Sequence, residues 1–176
     1  MERPAETEYA PFYASYVGRV PETDVLAVLE EQLEQIRRIA TAVPAEREEY
    51  RYAPGKWSLR EVFGHLGDAE RVFGFRAFCF SRGETAPLPS FDENVYVESA
   101  HFGHTSLPLL TRDLLHLRES NLALFRRLDG NDWLRVGNAS GKDVTVRALA
   151  FMLAGHLRHH VAILTERYGV TAYQGA

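Results

Sequence analysis

Apolar residues recur at intervals of three and four through four long stretches of the chain, the pattern of helices that each bury one face. The first stretch runs from about Glu22 to Val43, with Val25, Leu26, Leu29, Leu33, Ile36 and Ile39 on one side. Pro21 and Pro44 bracket it, each where proline is tolerated. The second follows Ala53-Pro54-Gly55-Lys56-Trp57. Ser58 and Glu61 there have capping-box spacing, in which each side chain satisfies a free backbone N–H of the first turn. This helix is predicted to reach about Arg82 and stop at Gly83. The third spans about Ser106 to Leu128, with Pro108 in its first turn, and ends at the turn cluster Asp129-Gly130-Asn131-Asp132. The fourth runs from about Val144 to Tyr168, and Gly169 is placed to cap it in the left-handed conformation.

Four helices of roughly 20 residues are roughly 30 Å long, and four single-sided stripes bury one another best as an all-α four-helix bundle. The connection between the second and third helices is long, from Gly83 to about Thr105, and carries Pro87, Pro89, Gly103 and several aromatic residues. Its length permits a crossover, and loops of this length in compact domains often carry function. The stretch from Trp133 to Asp143 has room for a short extended piece. With no repeat or low-complexity tract, the 176 residues are expected to form one domain over 1–176, its core at about 22–169.

Composition narrows the chemistry. Apolar residues make up 45% and charged residues 25%, a globular balance, and the net charge of −4 gives no general pull towards nucleic acid or an anionic membrane. Basic charge is nearly all arginine, with Lys56 and Lys142 the two lysines. The first dozen residues are acidic and lack the apolar region of a signal peptide, and no apolar run approaches the ~18 residues of a membrane span. A cytoplasmic protein acting on a small molecule, with neither nucleic acid nor membrane as partner, is the expectation. The single cysteine, Cys79, excludes an internal disulfide, a CxxC redox pair and any zinc site built on two cysteines. Its apolar flanks suit core packing better than nucleophilic work.

Any transition-metal site must therefore rest on histidine and carboxylate. His156 and His160 stand four apart in Gly155-His156-Leu157-Arg158-His159-His160, a spacing that brings two imidazoles to one side of a helix. At about 100° per residue they share a sector with Leu149, Met152, Leu153 and Ile163, while His159 falls about 60° the other way, at the rim. Two inward histidines either bond to backbone carbonyls and carboxylates or hold a metal ion, because unpaired polar groups in a core are costly. His65, on the stripe of Val62, Ala69 and Val72, adds a third inward imidazole from another helix. Three neutral imidazoles leave a divalent ion its charge and an open position, as in catalytic sites. Asp68, one turn from His65, is either a partner for a ligand imidazole's second nitrogen or a solvent-facing carboxylate.

The remaining candidates carry less weight. His101 and His104 offer an additional ligand or are exposed, and His116 among leucines reads as structural. Trp57 suits a hydrophobic staple against Val62 as well as a pocket wall, and Arg76 suggests a buried salt bridge. Neither a GxSxG elbow, a P-loop nor a GxGxxG loop occurs, and no glutamate stands three residues before His65, His156 or His160 as in di-iron bundles.

The segment PGKWSLREVFGHLGDAE, Pro54 to Glu70, together with HLRHH, His156 to His160, resembles the DinB/YfiT-like superfamily of metalloenzymes over about Val25 to Gly169. The resemblance implies a four-helix bundle, often dimeric, whose nickel or zinc is held by residues matching His65, His156 and His160. It also implies thiol S-transferase activity with a low-molecular-weight thiol, or a related isomerase. Ala162 replaces the glutamate of the iron-binding H-x3-H-x-E motif in ergothioneine-synthesising relatives, and Ile163 replaces a glutamine of many others. The expected function is thus a thiol S-transferase or hydrolase-like activity using a divalent metal, zinc or nickel, held by three histidines in a homodimer. The alternative is a non-catalytic metal-binding stress-response bundle.

Overall fold

The structure, a computed structural model, describes residues 2–171. Four long helices form the bundle: α2 (Val25–Thr41), α3 (Leu59–Ser81), α5 (Leu107–Phe125) and α7 (Val146–Glu166). Around them lie α1 (Ala14–Val17), α4 (Glu93–Ala100), α6 (Gly130–Leu134) and a hairpin of β1 (Val136–Ala139) and β2 (Lys142–Thr145). Among the described residues, no helix is long and apolar enough to cross a membrane.

Local chemistry sets the ends. Asp24 caps α2 by accepting from the Ala27 N–H at 3.1 Å, so this helix starts three residues later than Pro21 suggests. Ser58 and Glu61 form the full capping box of α3, at 3.2 and 2.7 Å. Gly83 and Gly169 adopt the positive φ that lets the chain leave a helix without a Cβ clash.

The helices do not neighbour one another in chain order. α2 packs on α5 and α7, and α3 also packs on α5 and α7, so successive helices α2 and α3 sit diagonally. The crossings fall in the 42–58 and 126–145 connections, whereas the long 82–106 connection joins the neighbours α3 and α5. That connection holds α4 and is pinned to the hairpin: Leu88 donates to the Asn138 carbonyl at 2.9 Å, and Ser140 donates back to Leu88 at 3.1 Å. Arg76 does not form the expected salt bridge. Its guanidinium donates to the Pro89 carbonyl (2.8 Å) and to Ser140 Oγ (3.0 Å), tying connection and hairpin tip to α3. Cys79 packs against the apolar core, and burial raises its thiol pKa.

One buried polar network joins all four long helices. Arg118 of α5 makes a bidentate pair with Glu70 of α3 (2.8 and 2.9 Å) and donates to Gln32 Oε1 of α2 at 2.6 Å. Gln32 donates in turn to the Ala154 carbonyl of α7 at 2.9 Å, and Asn121 donates to Glu70 at 2.9 Å. Arg118 and Glu70 are 1% and 3% exposed, so both charges are satisfied wholly within the protein.

From Ala148 to Gly155, α7 is apolar all round and buried on every side. The N-terminal segment makes this tenable. α1 lies so close to α7 that a Cβ on Gly155 would overlap the Tyr16 carbonyl oxygen, which gives this glycine a packing role. The segment is held at both ends: Glu8 pairs with Arg147, and Arg158 donates to the Arg19 carbonyl (2.7 Å) and to Glu22 (2.8 Å).

Candidate metal centre

His65 stands in the second turn of α3, and His156 and His160 stand one turn apart on the α7 face packed against it. The three rings converge. Nε2 of His156 lies 3.0 Å from Nε2 of His65 and 3.2 Å from Nε2 of His160, and the residues are 5–7% exposed. They are the one group of three or more ligand-type side chains brought together among the described residues.

Hydrogen bonding alone does not account for this arrangement. A ring nitrogen has a single in-plane direction, either an N–H or a lone pair, and His156 Nε2 faces two other nitrogens. It can satisfy one of them at a time. Three lone pairs aimed at one cation use all three nitrogens, and tetrahedral coordination at ~2.0–2.1 Å puts such nitrogens ~3.3 Å apart. The observed spacings are close to that value, so the residues fit a divalent ion of the zinc class.

Protonation favours the same reading. Burial, followed by the nearby His159, lowers the His65 pKa to about 4. Burial and then the neighbouring imidazoles push His156 and His160 well below their usual range. All three rings are therefore neutral at pH 7, with lone pairs available to a metal.

Packing holds the rings. Trp57 lies over His65 with centroids 4.7 Å apart, while Tyr16 and Phe73 meet His156 edge-on at 5.3 and 6.0 Å. The outer nitrogens, Nδ1 of His65 and of His160, have no hydrogen-bond partner. Asp68 accordingly does not bond to His65. Its carboxylate lies 3.9 Å from Arg71 and lines a separate groove. His159 sits on the rim, half-buried, with its ring 5.1 Å from His160, and burial followed by the Arg19 charge lowers its pKa. His101, His104 and His116 are exposed and lie outside the cluster.

A cavity of about 250 Å³ opens from the three rings. Its walls are mostly aromatic, from Phe12, Tyr13 and Tyr16 of the N-terminal segment, Trp57, Phe73 and Phe91, with Glu93 as the one carboxylate. A smaller cavity of about 210 Å³ shares Trp57 and His160 with it. Trp57 is thus a cavity wall as well as part of the packing around Val62. The aromatic N-terminal wall is absent from the periodicity reading. The dense aromatic spacing in Tyr9-Ala10-Pro11-Phe12-Tyr13-Ala14-Ser15-Tyr16 is the signal that could have suggested it.

A family model described as the DinB superfamily matches residues 28–164. No curated protein matches the chain. Among solved structures, the chain is similar to YfiT from Bacillus subtilis, described as a probable metal-dependent hydrolase with an unusual four-helix bundle topology. That pair has a TM-score of 0.72 at 20% identity, covering 96% of this chain and 94% of the other. It is also similar to a mycothiol-dependent maleylpyruvate isomerase, with a TM-score of 0.69 at 14% identity, covering 85% of this chain and 61% of the isomerase.

Proposed function

The chain belongs to the DinB superfamily, and on that footing we propose that it is a metal-dependent enzyme activating a thiol or water for attack on a small electrophile. The observation that carries the reading is the convergence of three neutral, buried imidazoles beside an aromatic cavity. A divalent ion bound there, zinc or nickel as the family resemblance implies, would supply Lewis acidity that lowers the pKa of a thiol or water.

The chain's own residues supply the rest. His65, His156 and His160 would hold the ion without adding negative charge, which would leave its full charge to polarise a bound thiol or water. The walls formed by Tyr16, Trp57 and Phe73 exclude bulk water and strengthen that pull. His159 lines the cavity beside His160, which places a rim imidazole to accept the proton released on activation. Thiol S-transfer is the leading activity and hydrolysis its neighbour, because both begin with the same deprotonation. The likeness to a mycothiol-dependent enzyme and to a probable hydrolase supports the pair.

Metal analysis of purified protein and of His156→Ala, alongside turnover of a thiol–electrophile panel, tests the reading. Stoichiometric metal and turnover, both lost in the variant, are expected. Metal that stabilises the protein without turnover of any panel member would favour a binding role, and unchanged occupancy in His156→Ala would overturn the site.

A further inference from the structure

The two cavities that meet at His160 differ in charge. The larger, aromatic one has Glu93 as its one carboxylate, whereas the smaller is lined by Lys56, Tyr52, Asn94, Tyr168, Trp57 and His160, with no carboxylate. Lys56 makes no ion pair among the described residues. Its neighbour Arg51 donates to the Lys56 carbonyl at 2.7 Å, but the Arg51 charge is taken up by Glu61 in a bidentate pair. The ammonium of Lys56 is therefore the unbalanced charge on this side.

Backbone chemistry puts it there. Ala53-Pro54-Gly55-Lys56 is a turn closed by the Lys56 N–H donating to the Ala53 carbonyl at 3.2 Å, with proline second and Gly55 third at φ +72°. That is the geometry of a type II turn, which needs glycine in the third place. The turn presents Lys56 immediately before Trp57, which lines both cavities. The α4 helix completes the division: Glu93 lines the larger cavity, and the next residue, Asn94, lines the smaller.

We infer that the smaller cavity binds the carboxylate end of a small anionic substrate whose reactive end reaches the three-histidine centre past Trp57. Lys56 supplies the charge, and Asn94 and Tyr52 supply hydrogen-bond donors. The larger cavity takes the second, apolar substrate, and Glu93 disfavours entry of the carboxylate by that route. The inference rests on the proposed metal-enzyme reading, because it assigns two substrates to two sides of one centre.

The test uses zinc-loaded protein labelled with 5-fluorotryptophan, in which fluorine NMR reports Trp57 separately from Trp133. It is titrated with 3-mercaptopropionate, 2-mercaptoethanol and cysteamine, which are anionic, neutral and cationic at the end remote from the thiol. For each thiol, the ratio of the Lys56→Met dissociation constant to the wild-type value cancels the thiol's own acidity. The expected ratio is about fivefold for 3-mercaptopropionate, the size of an exposed charge pair. It is near unity for 2-mercaptoethanol and below unity for cysteamine, and Lys56→Arg restores the wild-type order. Equal ratios for the three thiols, with zinc content unchanged, would overturn the inference. Chelator-treated protein separates the two readings. If 3-mercaptopropionate still moves the Trp57 signal more than 2-mercaptoethanol does, the anion site stands even where the metal reading has failed.

Discussion

The Glu70–Arg118 pair offers a quantitative test of how this bundle is held together. Both side chains are almost fully buried, and Arg118 spends its donors on Glu70 and Gln32. Glu70→Gln leaves a buried guanidinium without its counter-charge, and Arg118→Met leaves a buried carboxylate with Asn121 as its remaining side-chain donor. Breaking a buried pair from one side costs about 3–5 kcal/mol. For a chain of this size each kcal/mol lowers Tm by about 2–4 °C, so each single variant is expected to melt roughly 6–20 °C below wild type. The double variant removes both charges at once, although the freed Gln32 oxygen still costs about 1–3 kcal/mol if it finds no partner. Its loss should therefore fall at least about 2 kcal/mol short of the sum of the singles. Urea denaturation followed by circular dichroism, with chelator in every sample so that metal linkage does not enter, gives these values. Additive losses, or either single variant costing under about 1 kcal/mol, would refute the claim that this network is a coupled unit.

Gly155→Ala is expected to destabilise by about 1–3 kcal/mol and to increase proteolysis of the first 20 residues, because the new methyl group displaces Tyr16. Helix propensity alone predicts a gain of up to about 1 kcal/mol, so the sign of the Tm change decides between the two. Glu8 is raised by burial but lowered more by the bonds from Arg147, the Ala5 N–H and Thr145, so its folded pKa lies below the ordinary 4.5. Its stabilising contribution is then complete above that value and is lost as pH falls through the folded pKa. The melting gap between wild type and Glu8→Gln should be constant from pH 6 to 8 and close below about pH 4.5. Chelation should lower Tm in wild type, by the equivalent of about 2.7 kcal/mol when metal had stood at 100 times its Kd, and leave His65→Ala unmoved; equal chelator shifts in both proteins would exclude His65 as a ligand.

Much of the candidate site was legible because helical periodicity is a local property. The spacing of His156 and His160, and the register of His65 with Val62 and Ala69, place three imidazoles on inward faces whatever else the chain does. The capping box at Ser58 and the left-handed cap at Gly169 were legible for the same reason, since each acts within one turn. Asp68 was not decidable from spacing: one turn from His65 describes a neighbour on the same helix, yet its carboxylate turns towards Arg71. Arg76 was legible as buried but not as to its partners, which lie on the long connection and the hairpin tip.

The sequence by itself determined four long helices, the Ser58 and Gly169 caps and the inward direction of three histidines, because these follow from residue order over three or four positions. Only the tertiary structure decided that α2 and α3 lie diagonally, that Glu70, Arg118 and Gln32 share one buried network, and that Tyr16 walls the site. Those features join residues 48, 86 and about 140 positions apart. Their pairing depends on which helix faces which, and periodicity within one helix carries no information about that choice.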